Sequence, residues 1–340
     1  MDLETFFTEL YAIVDDVYKD KIAGKIKKHA GATARLSDSE VLTIAIAGQW
    51  RVGVPWASER GVVRWVKAHG QGLFPQMIGR SAFNARVRWL WGAFIILQQR
   101  VGMWLTSAED VYECVDSVPL KAMSNGQACR EAGHWLWESQ TGHGGTRGGF
   151  YQGDQVLASV TASGVVTGWL VGNAAIDERW LLSAFLSART GQAQLSGPAR
   201  SSHQVRSRTV PLPIGHIGAF QAVGVSQSRP YLADRGFNSE RWQQHWRDRY
   251  GCTVLSVPPH NDPHRTNWSR QDCLWLASHR QIIDTTFGFL AEVFGWQKLQ
   301  AHSRWGQYTR LAAKFAAYHI GMFLNRCLGR PLHAFATLIC

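Results

Sequence analysis

The chain has 340 residues, enough to bury the core of one large domain or of two smaller ones. Its hydrophobic fraction of 45% and aromatic fraction of 11% exclude a wholly disordered protein. Lysine and arginine number 36 against 25 acidic residues, so the formal net charge is +11. A surplus of this size favours a polyanionic partner such as nucleic acid, with a basic protein that has no such partner as the alternative.

Cysteine usage and hydropathy indicate the compartment. The six cysteines form no CxxC pair, which argues against a zinc ribbon or a disulfide scaffold and favours a reducing environment. The N-terminal segment MDLETFFTELYAIVDD is acidic and amphipathic, unlike a signal peptide. No apolar run approaches the ~18 residues that a membrane span requires. The sequence therefore predicts a cytoplasmic protein without a membrane partner.

Residues 1–107 are predicted to form a helical domain. In LSDSEVLTIAIAGQW, Ser37 and Glu40 have the spacing of a capping box and precede an apolar run of helical length. In SAFNARVRWLWGAFIILQQRVG, residues 81–102, apolar residues recur at three and four positions apart, which predicts one long helix.

A basic group stands at the beginning of that second helix. It consists of Arg80, Arg86 and Arg88. These side chains either contact DNA phosphates or form a solvated face of a helical bundle, and the sequence gives both interpretations equal weight.

From residue 108 the pattern changes to short β-rich runs. ECVDSVPL and two runs within GFYQGDQVLASVTASGVVTGWLVGNAAI predict three strands, YLAD a fourth and TVLSVPP a fifth, with helices between the later ones. Residues 191–229, rich in Gly, Ser, Pro and Arg, are predicted to be a long loop or insertion. Two helices follow from about residue 280. The order predicts an α+β fold in which a mixed β-sheet flanked by helices, residues 108–340, follows the N-terminal helical domain.

Three aspartates stand at the ends of these predicted elements. Asp116 closes the first strand, Asp234 closes the fourth, and Asp284 begins the first C-terminal helix. If the first and fourth strands are neighbours in the sheet, their aspartates emerge at one edge. Three carboxylates form a hard oxygen site suited to Mg²⁺ or Mn²⁺, and two such ions serve phosphodiester chemistry. Each aspartate taken alone is better explained as a turn or capping residue, and only their joint position at strand ends and a helix start favours a shared site.

An ordered set of segments resembles the DDE transposases of bacterial insertion sequences, most of all the insertion sequence 982 family and its relatives. The segments are MDLETFFTELYAIVDD, LSDSEVLTIAI, VDSVPL, GWLVGNAAIDERWLL, LADRGFNSE and the stretch that begins RQIIDTTFGFLAEVFGW. The resemblance implies an RNase H-like core in which Asp116, Asp234 and Asp284 bind two Mg²⁺ or Mn²⁺ ions. It also implies cleavage and strand transfer at terminal inverted repeats of double-stranded DNA, in a homodimer or higher assembly associated with the nucleoid.

The chain departs from the family pattern at three places. The pattern expects Glu where Asp284 stands, and Glu292, eight residues further along the same predicted helix, is the fallback third ligand. The segment GFYQGD lacks the lysine that the family tends to show, and residues 191–229 are additional. These departures leave two alternatives: an inactive or domesticated transposase that binds DNA sequence-specifically, and a metal-dependent nuclease of the same fold.

Further arginines near the predicted site are expected to contact DNA. Arg235 directly follows Asp234, where it binds a phosphate or pairs with that carboxylate. Arg280 precedes Asp284 by about one helical turn. Arg304 and Arg310 lie at the beginning of the last predicted helix, and the resemblance implies that this basic face contacts DNA near the site.

Overall fold

A computed structural model describes most of the chain. The described residues are 1–26, 34–124, 140–143, 149–191, 229–259, 261–262, 267–297, 299, 301 and 303–339. The predicted insertion therefore lies almost wholly outside the described residues. The chain divides into two compact units, a helical unit of Met1–Leu105 with Phe287–Cys340 and a sheet unit of Thr106–Thr286.

The described residues form nine α-helices and six strands. The helices are α1 (Leu3–Val17), α2 (Asp38–Ala47), α3 (Glu59–His69), α4 (Arg80–Trp89), α5 (Trp91–Leu105), α6 (Glu178–Arg189), α7 (Glu240–Tyr250), α8 (Arg270–Glu292) and α9 (Arg304–Cys327). The strands are β1 (Glu113–Ser124), β2 (Gln140–His143), β3 (Phe150–Thr161), β4 (Val166–Asn173), β5 (Tyr231–Leu232) and β6 (Val254–Leu255). None of the helices in these ranges is both long and apolar enough to cross a membrane.

The predicted capping box begins α2. Ser37 Oγ accepts from the Glu40 N–H at 3.2 Å, and Glu40 Oε2 accepts from the Ser37 N–H at 2.6 Å. Eight of the ten residues of α2 are buried, so this helix lies in the core of the helical unit. The two hydrogen bonds satisfy backbone donors that the first turn of a helix leaves without partners.

The predicted single helix over residues 81–102 is wrong, because the structure has two helices there. The chain turns at Leu90, whose N–H donates to the carbonyls of Arg86 and Arg88. Before the turn, α4 buries only Phe83, whereas α5 buries eight residues. The apolar spacing continues across the turn, so periodicity alone did not reveal a change in which side is buried.

The C-terminal helix belongs to the helical unit, which differs from the predicted division at residues 107 and 108. Seventeen of the 24 residues of α9 are buried, so the helix needs partners on most of its circumference. Its buried polar groups find them in the N-terminal region: Lys314 Nζ donates to Gln49 Oε1, in the turn after α2, at 3.0 Å, and His319 Nδ1 lies 2.7 Å from the carbonyl of Gln98 in α5. The boundary between the units falls within α8, between Thr286 and Phe287.

A mixed sheet forms the centre of the second unit, which confirms the predicted α+β class. β1 pairs antiparallel with β3 and parallel with β5, and β6 pairs parallel with β5. β2 and β4 lie one after the other along the remaining edge of β3. β2 was not predicted, because its sequence QTGH is short and polar and shows no alternation.

Two helices cover one face of this sheet. Leu182 and Phe185 of α6 and Trp246 of α7 are fully buried in the same cluster as Leu157 of β3. The Trp246 indole Nε1 donates to Ser183 Oγ at 2.8 Å, which satisfies its one polar group. Burial of these large apolar side chains contributes roughly 1.5–3 kcal/mol each and holds α6 and α7 against the strands.

A buried ion pair joins β1 to the end of α6. Arg189 Nη1 and Nη2 donate to the two Glu113 carboxylate oxygens at 2.6 and 2.8 Å, and Nη1 also donates to the Tyr231 hydroxyl at 2.9 Å. Thr167 and Ser159 donate their hydroxyls to the same carboxylate. Burial would raise the pKa of Glu113, but the charge of Arg189 and these hydrogen bonds outweigh it and lower the pKa. The pair therefore stays charged and connects four strands to one helix.

Arg189→Met should lower the free energy of unfolding by about 3–5 kcal/mol, because it leaves the Glu113 carboxylate buried without its counter-ion. Urea denaturation followed by circular dichroism measures this change. Arg179→Met is the matched control, since Arg179 lies on the same helix in a partly exposed pair with Asp177 and should cost at most about 1 kcal/mol. Equal losses in the two variants would contradict the importance of the buried pair.

Candidate functional site

Asp116 and Asp234 lie at the same register on neighbouring parallel strands. The last paired residues of β1 and β5 are Cys114 and Leu232, and each aspartate follows its member of that pair by two residues. Because side chains alternate along extended chain, the two carboxylates point to the same side of the sheet. The condition that the sequence left open, that the strands of Asp116 and Asp234 are neighbours, is therefore met.

The predicted place of Asp116 at the end of its strand is wrong. β1 continues to Ser124 as the antiparallel partner of β3, and Asp116 lies inside it, opposite Ala158. Only the parallel partner is short, since β5 ends at Leu232. β1 pairs with β3 over a longer stretch than it pairs with β5. Asp116 therefore lies beyond the β1–β5 pairing although it is well within β1.

The predicted place of Asp284 at a helix start is also wrong. Ser269 and Asp272 begin α8 with reciprocal hydrogen bonds, upstream of the predicted start, so Asp284 lies well inside the helix. The fallback ligand Glu292 is exposed at the last residue of α8 and belongs to the helical unit. Asp284 belongs to the sheet unit together with Asp116.

Arg280 connects two of the three aspartates. Its Nη1 donates to Asp116 Oδ2 at 2.7 Å, and its Nη2 lies 3.3 Å from Asp284 Oδ2, one helical turn further along α8. The Ser117 N–H donates to the other Asp116 oxygen at 2.8 Å. Burial would lower the pKa of Arg280, but the charges of Asp116, Asp284 and Asp234 outweigh it and raise the pKa. Arg280, predicted as a DNA contact, is a counter-ion within the group of aspartates.

Arg280 does not fully compensate the acids. Burial is the largest cause that raises the pKa of Asp116, the charge of Asp234 is the next, and the pKa reaches about 7 despite Arg280 and the Ser117 N–H. Near neutral pH the fold therefore holds carboxylates together against desolvation and mutual repulsion. Such a perturbed group is a typical feature of a functional site.

A fourth carboxylate, which the sequence-based prediction did not include, lies near Asp234. Glu178 is the first residue of α6, and its Oε1 accepts from Ser117 Oγ and, at 3.3 Å, from Gln155 Nε2. Burial raises the pKa of Glu178, and the charge of Asp234 raises it further. We call Asp116, Asp234, Asp284 and Glu178 the acidic cluster. In the sequence Glu178 looks like an ordinary first-turn acid of a helix, so no local signal distinguishes it.

Asp234 is positioned by the turn that follows it. Its Oδ1 accepts from the Gly236 N–H at 2.7 Å and so caps the 3₁₀ turn Arg235–Phe237. A Cβ atom at Gly236 would lie 2.8 Å from Glu178 Oε2 and 3.0 Å from Asp234 Oδ1. The backbone of the turn thus approaches both carboxylates closely, and a glycine leaves room for them.

The donor chemistry of the acidic cluster fits a divalent cation. Carboxylate oxygens are the ligands that Mg²⁺ and Mn²⁺ prefer, and the pKa of Asp116 is raised first by burial and then by the charge of Asp234, which Arg280 offsets only in part. Within the described ranges, however, no three Asp, Glu, His or Cys side chains lie close enough to form a ready-made coordination set. Arg280 balances only part of the charge of the cluster in this arrangement.

Comparison with known proteins adds nothing to this geometry. No family model, curated protein or solved structure matched the chain. Function is therefore inferred from the chemistry of the acidic cluster and from the charge of the chain.

Two of the predicted DNA-binding arginines are engaged within the helical unit. Arg86 donates to the Leu36 carbonyl and to Asp38, a role within the helical unit that neither predicted interpretation, DNA contact or solvated face, included. Arg310 Nε lies 3.1 and 3.0 Å from the two Glu59 carboxylate oxygens. These guanidinium groups stabilise helix packing, so fewer of their donors are left for phosphate.

Other predicted DNA contacts are accessible to solvent. Arg80 and Arg88 of α4 are exposed, and Arg304 at the start of α9 is partly exposed. Arg235 is exposed and forms no ion pair with Asp234, although both lie in the described part of the chain. Of its two predicted roles, the ion pair with Asp234 is not formed in the described part of the chain, and contact with a phosphate stays a prediction.

Asp116→Asn should stabilise the metal-free protein at pH 8, by as much as ~4 kcal/mol for a pKa displaced from 3.8 to about 7. Between these pH values the unfolded chain has lost the Asp116 proton while the folded protein still holds it, so wild-type stability falls as the pH rises. The advantage of the variant should shrink as the pH is lowered from about 7 toward 4. Urea denaturation in chelator across this range measures it, and Asp16→Asn, at an exposed position of α1, is the control. A variant less stable than wild type at pH 8 would contradict the electrostatic description.

Proposed function

We propose that this protein is a DDE-type transposase, which cleaves DNA and transfers strands at the terminal inverted repeats of an insertion sequence with Mg²⁺ or Mn²⁺. The main support is the equal register of Asp116 and Asp234 on adjacent parallel strands, with Asp284 joined to Asp116 through Arg280. Carboxylates that are held close together at a cost in stability are best explained by a function for their negative charge.

The proposed roles follow from the position of each group. Asp116, Asp234 and Asp284 would hold the cations, which when bound supply activation of the attacking oxygen and stabilisation of the leaving oxygen. The N–H groups of Ser117 and Gly236 orient two of these carboxylates. The pairing of β1 with β5 fixes the distance between Asp116 and Asp234. The two carboxylates are therefore held in the orientation that catalysis needs.

Charge supports DNA as the substrate. The net charge of +11 suits a polyanion, and arginine forks match phosphate oxygens. Arg235 is exposed one residue after Asp234, where a guanidinium would meet a phosphate that approaches the acidic cluster. Exposed Arg80 and Arg88 are the proposed contacts of the helical unit. A homodimer or larger assembly on paired ends belongs to the same proposal.

The alternative is a transposase-derived protein that binds DNA without cleaving it. It is favoured by the bridge of Arg280 between Asp116 and Asp284, which offsets part of the charge of these acids without a metal ion. Asp284 is also one methylene shorter than the Glu that the resemblance leads one to expect, so its carboxylate reaches less far. A metal-dependent nuclease on the same core would differ in lacking strand transfer.

Asp116→Asn and Asp284→Ala should each reduce cleavage of a labelled duplex that carries the element's terminal repeat by about 100-fold or more, because each removes charge from the reacting centre. DNA affinity, measured by fluorescence anisotropy in chelator, should change little. Cleavage and strand transfer are read from gels with Mg²⁺ or Mn²⁺.

Glu292→Ala is the control, since its side chain is exposed at the end of α8. Cleavage that survives Asp284→Ala but is lost in Glu292→Ala would move the third ligand to Glu292. Binding without cleavage by the wild type would favour the DNA-binding alternative, and cleavage without strand transfer the nuclease.

Arg88→Gln should weaken DNA binding and reduce the slope of log K against log salt by about one, as expected when one phosphate contact is lost. Its thermal stability should be unchanged. The matched substitution Arg86→Gln removes the contacts to Leu36 and Asp38 and should lower stability instead. Titrations at several salt concentrations and thermal melts of both variants make the comparison. Unchanged DNA affinity in Arg88→Gln would remove α4 from the proposed interface.

A further inference from the structure

We propose that Glu178 is a fourth cation-binding carboxylate, which acts together with Asp234 in the acidic cluster. This inference rests on the proposed function and adds a residue to its site. It requires that Glu178 has an oxygen available near Asp234, that the surroundings contain a further group in need of a partner, and that Glu178 is not explained by its position in the helix alone.

The geometry around Gly236 supplies the first requirement. Oε1 of Glu178 accepts from Ser117 and Gln155, whereas Oε2 lies on the side of Gly236. A single Cβ position at Gly236 is 2.8 Å from Glu178 Oε2 and 3.0 Å from Asp234 Oδ1. These two carboxylate oxygens therefore border the same small volume. Their negative charges repel each other.

Gln155 supplies the second requirement. It is 8% exposed, and its Oε1 is buried and finds no hydrogen-bond donor among the residues that the structure describes. The same amide donates through Nε2 to Ser117 Oγ at 2.7 Å and to Glu178 Oε1, so it lies against the acidic cluster. A buried acceptor without a partner costs about 1–3 kcal/mol. A water molecule or a cation that reaches this oxygen would provide the missing partner.

The position of Glu178 at the start of α6 does not account for its surroundings. Asp177 already caps this helix by accepting from the Arg179 N–H at 2.9 Å. A first-turn acid that only complements the helix dipole gains nothing from burial, and Glu240 in the same position of α7 is exposed. Glu178 is instead half-buried beside another acid.

Gly236 is explained by the same site. Its φ does not lie in the left-handed region, so the backbone would accept another residue. An added methyl group would meet the ends of Glu178 and Asp234, which are side-chain atoms rather than backbone and can shift apart. Gly236→Ala should therefore fold normally while separating the two carboxylates.

Binding of Mn²⁺ to the full-length chain tests the proposal, measured by isothermal titration calorimetry and by loss of the free-ion electron paramagnetic resonance signal. Glu178→Gln keeps the size of the side chain and should weaken Mn²⁺ binding roughly 10- to 100-fold, the range known for groups that support a metal site. Gly236→Ala should weaken it in the same direction. Glu240→Gln, the same substitution at the equivalent helix position, should bind as the wild type does.

Circular dichroism and thermal melts establish that each variant is folded. Wild-type affinity in both Glu178→Gln and Gly236→Ala, with loss in Asp234→Asn, would overturn the role of Glu178 and leave the three-aspartate site intact. An absence of Mn²⁺ binding in the wild type would overturn both cation proposals. Loss in Glu178→Gln together with wild-type DNA cleavage would assign the cation at Glu178 to a site separate from the reaction.

Discussion

The buried ion pair between Glu113 and Arg189 is the constraint on which the acidic cluster depends. Glu113 pairs with Tyr231 in the parallel register, and Arg189 bonds both residues, so the pair fixes β1 against β5. A slip of one residue would turn Asp116 and Asp234 to opposite faces of the sheet. Arg189 is also the last residue of α6 and Glu178 the first, so anchoring one end of this helix positions the carboxylate at its other end.

The acidic cluster lowers the stability of the folded protein. Asp116 has a pKa near 7 because burial and a neighbouring acid oppose its charge, and Arg280 relieves only part of this. Gln155 adds a buried acceptor without a donor among the described residues. Several destabilising groups at one place are typical of a functional site. A bound divalent cation would remove several of these unfavourable interactions at once. The proposed transposase activity and the proposed role of Glu178 both follow from this imbalance.

Elements with strong local signals were predictable, and those defined by partners were not. Ser37 and Glu40 predicted the start of α2, because a capping box involves only residues close together in the chain. By contrast, β2 exists because its backbone pairs with β3, and its side chains give no pattern. The turn at Leu90 was hidden because the apolar spacing runs through it. The start of α8 was placed too late because Ser269 and Asp272 were not recognised as its cap.

The α+β class, the basic charge, the helical N-terminal region and the candidacy of Asp116, Asp234 and Asp284 could all be inferred from the amino-acid sequence. Local spacing, composition and resemblance suffice for these, since each depends on residues close in the chain or on totals. Only the tertiary structure brought Asp116 beside Asp234, joined Arg280 to Asp116, added Glu178 and grouped the last helix with the first five. These relations join residues far apart in sequence, and they are decided by strand register and by which faces are buried together, quantities that no local pattern encodes.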